Sequence, residues 1–133
     1  MSVVLFEELA AASGKVGRVT LNIEATLNSL TLEMVDVLQA QLDAWGDDDS
    51  IGAVFIDGAG EKAFCAGGDV QALHSSAVAT PGGPCEYGES FFTREYRLNY
   101  TLHTYPKPLI DHKEGRQRAL DAYNILKQRR DAA

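Results

Sequence analysis

Only 2 of the 133 residues are cysteine, 3 are histidine and 1 is tryptophan, and basic side chains are scarce, with 12 Lys and Arg against 19 Asp and Glu. Each shortage excludes something. Cys65 and Cys85 fit no disulfide framework, and without a CxxC, and with His74, His103 and His112 scattered, no metal site is expected. A net charge of −7 sets the overall field against a phosphate backbone, so a nucleic-acid partner is not expected either. No apolar run approaches the roughly 20 residues that cross a bilayer. Met1 to Ala10 lacks the basic start and apolar stretch of a signal peptide, and the expectation is a soluble cytoplasmic chain without membrane contact.

What the chain does have is 45% hydrophobic residues, enough for one domain to close a core without staples. Its charge is uneven: residues 1–110 carry 6 basic and 15 acidic side chains, residues 111–133 carry 6 and 4. That change of character separates an amino-terminal portion, 1–110, from a basic helical tail, 111–133, in which Ala119, Tyr123 and Leu126 share a face.

The pattern of the first portion reads as α/β. Val3 to Phe6 and Val16 to Asn22 are short and β-rich, which predicts a hairpin. Thr31 offers a helix cap, and Val35, Leu38, Leu42 and Trp45 repeat at helical spacing, which predicts about four turns. Ile51 to Ile56 is a nearly continuous apolar run, the mark of a strand buried on both faces and paired in parallel across the helix. A second helical stretch is expected around Val70 to Ser76, then one long loop over Ala77 to Glu89, which holds Pro81, Gly82, Gly83 and Pro84. From Ser90 to Tyr105, Phe92, Tyr96, Asn99 and Leu102, with Phe91 and Leu98 alongside, predict another amphipathic helix, ended by Pro106 and Pro108. Leu109 and Ile110 begin a further strand.

Chemistry is expected at Gly67-Gly68, just before a helix, where missing side chains let a ligand approach backbone N–H groups. A phosphate-binding P-loop is excluded, because Asp69 and Val70 stand where Lys and Ser or Thr would follow the glycines. Cys65 reads as a small packed residue rather than a nucleophile served by His74 or His103, since no third group is apparent. Asp47, Asp48 and Asp49 lack the spaced ligands of a calcium loop and read as a solvated turn.

Several motifs lie in a telling order: Leu21-Asn22, Leu27-Asn28-Ser29-Leu30-Thr31-Leu32-Glu33-Met34, Gly58-Ala59-Gly60, Lys62-Ala63-Phe64-Cys65-Ala66-Gly67-Gly68-Asp69-Val70 and Tyr105-Pro106-Lys107-Pro108. In order and spacing they resemble the amino-terminal part of the crotonase (enoyl-CoA hydratase and isomerase) superfamily. The stretch from Phe91 through Glu95 to Asn99 is most similar to its 3-hydroxyisobutyryl-CoA hydrolase branch, thioesterases of valine breakdown. The resemblance implies a ββα spiral truncated to about its first third with a helical tail, and an acyl-CoA thioester as partner, CoA being part of the substrate and no cofactor being needed. It also implies a homo-oligomer.

By the same resemblance Ala66, Gly67, Gly68 and Asp69 line the acyl-CoA site, the Ala66 N–H is one oxyanion donor and Glu95 contacts substrate. Ile23-Glu24 departs from the family's Arg-Pro, and after Pro108 neither the second oxyanion donor nor the catalytic carboxylates can be recognised. A donor is worth about 10² to 10³ in rate and a general acid or base about 10² to 10⁴. The chain alone is therefore expected not to turn over a CoA thioester at an enzyme-like rate. The alternative is a non-catalytic remnant that binds CoA esters or a partner, or a fragment.

Overall fold

The computed structural model describes residues 1–104 together with Gln128 and Ala132. The chain divides into two compact units, Met1–Leu102 and His103–Ala133. In the second, the Ala132 N–H donates to the Gln128 carbonyl at 3.0 Å. The expected strand at Leu109 and Ile110, the tail helix and the boundary after residue 110 lie outside the described residues.

The first unit opens with β1 (Val4–Ala11) and β2 (Gly14–Leu21), an antiparallel hairpin in which Val4 faces Leu21 and Ala11 faces Gly14. Helix α1 (Leu32–Gly46) then crosses back to β3 (Ile51–Gly58), which pairs with β2 in parallel, Val19 opposite Ile56. A parallel pair needs such a crossover, because a tight turn can only reverse the chain. The sheet order is β1-β2-β3. Two further helices follow, α2 (Val70–Ala79) and α3 (Glu86–Thr104).

Thr31 caps α1 as expected, its Oγ1 accepting the Met34 N–H at 3.2 Å. The helix buries Met34, Val35, Leu38, Leu42 and Trp45, one apolar stripe at three- and four-residue spacing. Burial of each large side chain contributes about 1.5 to 3 kcal/mol. Trp45 lies over the sheet: its ring meets Phe6 edge-on at 6.0 Å, its Nε1–H donates to Glu8 at 3.1 Å, and a methyl group at Gly17 would come within 2.6 Å of the ring. Helix α3 packs on α1 through the Arg94–Asp36 and Arg97–Asp43 ion pairs, at 2.7 and 3.2 Å, and through Gln39, whose Nε2 donates to Thr101 at 2.9 Å.

Three expectations are corrected. Among the described residues β3 is an edge strand paired with β2 alone, and Phe55 is 58% exposed, so the strand is not buried on both faces. The segment 77–89 is mostly helical: α2 runs on to Ala79, α3 starts at Glu86, and irregular chain is confined to Thr80–Cys85. Ala77 to Ala79 carry no breaker, and Glu86 and Glu89 suit the positive end of α3. Gly88 is buried there because α3 closes on Cys85 and Leu73, whose side chains stand 3.1 and 3.8 Å from where its Cβ would be. The inward face of α3 is Phe91 and Leu98, both fully buried, while Phe92 and Tyr96 are 44% and 68% exposed, and Arg94 and Arg97 reach Asp36 and Asp43 of α1 from the helix's solvated side.

Arg18, on the central strand, joins all three strands, with Nη2 2.7 Å from Asp57 Oδ2 and Nη1 3.4 Å from Glu7 Oε2. The neighbouring Thr20 hydroxyl and then Arg18 hold the Asp57 carboxyl below the ordinary value. Thr20 acts by proximity, since the buried Oδ1 of Asp57 has no hydrogen bond of acceptable geometry. A carboxyl whose folded pKa is lowered adds stability that is complete above its unfolded pKa and is lost as pH falls through the folded one. With Arg18 42% exposed, solvent screens the pair and keeps its contribution small. Urea unfolding at neutral pH and below the ordinary Asp range is expected to show that loss in the parent and a smaller one in Asp57→Asn.

Candidate functional site

The site is built where β3 ends. After Asn22 the chain makes a 3-10 turn, Glu24–Thr26, and enters the left-handed region at two successive residues, Leu27 (φ 54°) and Asn28 (φ 55°). Asn tolerates that conformation better than most residues, and here its side chain is also fully buried. Asn28 Oδ1 accepts the Ile23 N–H at 2.9 Å, and Nδ2 donates to the Ala59 and Ala63 carbonyls at 2.9 and 3.1 Å. One side chain thereby ties the 23–28 turn to both arms of the loop that follows β3.

Residues 27–30 then serve as a template for the glycine loop. The Leu27 carbonyl accepts the Ala66 N–H at 3.0 Å, the Leu30 N–H donates to the Gly67 carbonyl at 2.7 Å, and the Leu30 carbonyl accepts the Asp69 N–H at 2.9 Å. Leu30 and Gly68 form a parallel bridge. Gly67 has φ 98°, which a residue with a Cβ rarely adopts, and its N–H meets only Cys65 Sγ, at 3.4 Å. Of the four amides from Ala66 to Asp69, that of Gly68 alone makes no hydrogen bond among the described residues.

The Ala66 N–H, the expected oxyanion donor, is spent on the Leu27 carbonyl, whereas the Gly68 N–H, two residues further on, makes no hydrogen bond among the described residues. Asp69 is structurally engaged as well, since its Oδ1 accepts the Ala72 N–H at 3.1 Å and caps α2. That carboxylate occupies the positive end of the helix, which therefore does not stand open as an anion site.

Glu95 is brought to the same place from α3. A methyl group on Gly68 would lie 3.2 Å from two ring carbons of Phe91 and 3.6 Å from Glu95 Oε1. Phe91 is fully buried, with Tyr87 stacked on it at 6.3 Å, while Glu95 is half-buried and makes no hydrogen bond or ion pair among the described residues. An unspent amide, an unspent carboxylate and an aromatic wall thus meet at Gly68. Leu27, Phe64 and Val70, on the segments that form the loop, are 41%, 58% and 71% exposed and give its rim an apolar character. Cys65 and Cys85 are free thiols; Cys65 is engaged by the Gly67 N–H, and Cys85 Sγ lies 3.4 Å from Ser76 Oγ. Among the described residues no group of three or more His, Cys, Asp or Glu could hold a metal, and no helix is long and apolar enough to cross a membrane. Tyr105 to Pro108 lie outside the described residues.

A hairpin, a helical crossover to a parallel strand and a glycine loop docked on the turn after β2 define a crotonase-type α/β fold. Residues 16–116 match the family model described as enoyl-CoA hydratase/isomerase, and the chain belongs to that family. Its relatives include the mitochondrial 3-hydroxyisobutyryl-CoA hydrolase of Danio rerio, 46% identical over 109 residues, which are 82% of this chain and 26% of that protein. Another is the small ribosomal subunit protein mS47 of Neurospora crassa, 37% identical over 97 residues, 73% of this chain and 19% of that one. Among solved structures an enoyl-CoA hydratase from Rhodobacter sphaeroides superposes with a TM-score of 0.68 at 40% identity, covering 80% of this chain and 30% of that one. The chain thus spans about a quarter of the length of the hydrolases it matches.

Proposed function

We propose that the chain binds an acyl-CoA thioester with its carbonyl oxygen on the Gly68 N–H and its acyl group toward Phe91 and Glu95. The substrate we assign is 3-hydroxyisobutyryl-CoA, and the reaction its hydrolysis to 3-hydroxyisobutyrate and CoA. The observation that carries this reading is the unspent Gly68 amide beside the half-buried Glu95 carboxylate. A thioester carbonyl gains negative charge as water adds, and a fixed N–H stabilises that charge more than it stabilises the ground state. Glu95 suits a hydrogen bond to the hydroxyl of the acyl group or to the attacking water. The hydrolase relatives support the choice of acyl group.

One donor and one carboxylate support binding and polarisation, with thiol release far below the rate of about 10 per second typical of enzymes. The test is calorimetric titration with 3-hydroxyisobutyryl-CoA beside a thiol-release assay, on the parent and on Glu95→Ala. Binding weakened about tenfold in the variant is the expected result, a loss in the range of a charge-assisted hydrogen bond. No binding by the folded parent would overturn the proposal, and Glu95-dependent release at the typical rate would overturn its slow-turnover part. The ribosomal relative favours a second reading, a non-catalytic surface for a partner subunit. The same titration separates the two, since that reading requires no affinity for the thioester.

A further inference from the structure

We infer that Asn28 is a positioning residue for the thioester site, holding the turn whose backbone occupies the neighbouring amides and leaves the Gly68 N–H for the substrate. This rests on the acyl-CoA reading above. Asn28 does not itself make the template bonds. It fixes the residues that do: Leu27, one position before it, takes the Ala66 N–H, and Leu30, two positions after it, engages Gly67 and Asp69. Its three side-chain hydrogen bonds, at 2.9 to 3.1 Å, reach the start of the turn at Ile23 and the loop at Ala59 and Ala63, so both partners of the template are held to one buried group.

The backbone explains why such an anchor is needed. Leu27, with φ 54°, stands in a region that a residue with a Cβ adopts only under constraint, and it is followed by a second left-handed residue. Freed of the Asn28 bonds, Leu27 relaxes toward right-handed or extended backbone and its carbonyl turns away from Ala66. The Ala66 N–H then becomes a second, misplaced donor that competes with Gly68 for the thioester oxygen. Affinity survives such an exchange better than polarisation does, because polarisation depends on the alignment of a single N–H.

The experiment uses the full chain and 3-hydroxyisobutyryl-CoA labelled with ¹³C at the thioester carbonyl. The infrared band of that carbonyl is read on binding to the parent, to Asn28→Asp and to Asn28→Gly. The aspartate keeps the acceptor for Ile23 but cannot donate to Ala59 and Ala63, whereas glycine removes the side chain and accepts the left-handed backbone, so a folded variant is at hand even if one fails. The parent is expected to shift the band to lower frequency. The variants are expected to bind within about threefold of the parent but to lose more than about half of the shift, the signature of a misaligned donor rather than a lost contact. In the same samples the through-hydrogen-bond coupling between the Leu27 carbonyl carbon and the Ala66 nitrogen is expected to vanish. A full shift in both folded variants, a retained coupling, or an affinity loss proportionate to the lost shift would overturn the inference and leave the acyl-CoA reading standing. A parent that binds no thioester would overturn that reading instead.

Discussion

Gly58→Ala is expected to lower the free energy of unfolding by about 2 to 4 kcal/mol, among the largest losses any single methyl group can cause in this chain. Gly58 closes β3, and its backbone is not left-handed, so the cost comes from crowding alone. A Cβ there would meet the Phe64 carbonyl, with the carbonyl carbon at 3.0 Å, and Asn28 Nδ2 at 2.8 Å. Neither neighbour can swing aside. The carbonyl belongs to the main chain of the glycine loop, and the amide is held by Ala59 and Ala63. The methyl group therefore displaces the loop or breaks buried hydrogen bonds. Urea unfolding followed by far-UV circular dichroism checks this, and a midpoint within error of the parent's would show that the loop yields freely.

Gly68→Pro is expected to remove carbonyl polarisation and to reduce any thiol release about 10² to 10³-fold, because proline deletes the amide hydrogen that, among those of Ala66 to Asp69, makes no hydrogen bond with the described residues. Gly68→Ala is the matched control. It keeps the N–H and adds a methyl group 3.2 Å from the Phe91 ring, which has to give by a few tenths of an ångström. The alanine variant is expected to bind 3-hydroxyisobutyryl-CoA nearly as the parent does and the proline variant to bind without shifting the carbonyl band, with melting temperatures checked on both. Equal shifts in the two variants would remove Gly68 from the site.

Local signals carry further in this sequence than non-local ones. The hairpin, the Thr31 cap and the crossover to a parallel strand follow from alternation, capping chemistry and helical spacing, all set by near neighbours. The limits of α2 and α3 are obscured by Pro81 to Pro84, whose effect ends within Thr80–Cys85 instead of spreading over the whole of 77–89. The inward face of α3 is ambiguous in the sequence, since Phe91, Phe92, Tyr96 and Leu98 offer more than one apolar stripe. Tertiary packing decides it, since Phe91 and Leu98 are the ones that find a buried place. At the site, Gly67-Gly68 is legible as backbone bare of side chains, and the structure brings Glu95 close to Gly68. Which amide is open is not legible, because that depends on hydrogen bonds from Leu27 and Leu30 that no spacing within 65–69 encodes. The Asn28 hub leaves only a faint mark in the sequence: one of two polar residues, Asn28 and Ser29, between two leucines, beside a turn.

Helix α2, which follows the glycine loop directly, has no fully buried residue. A segment with so little buried surface opens at a free energy well below that of the whole fold. The rim of the candidate site is therefore expected to melt before the sheet does, so that on heating the chain loses the order of its glycine loop while the sheet still keeps its shape.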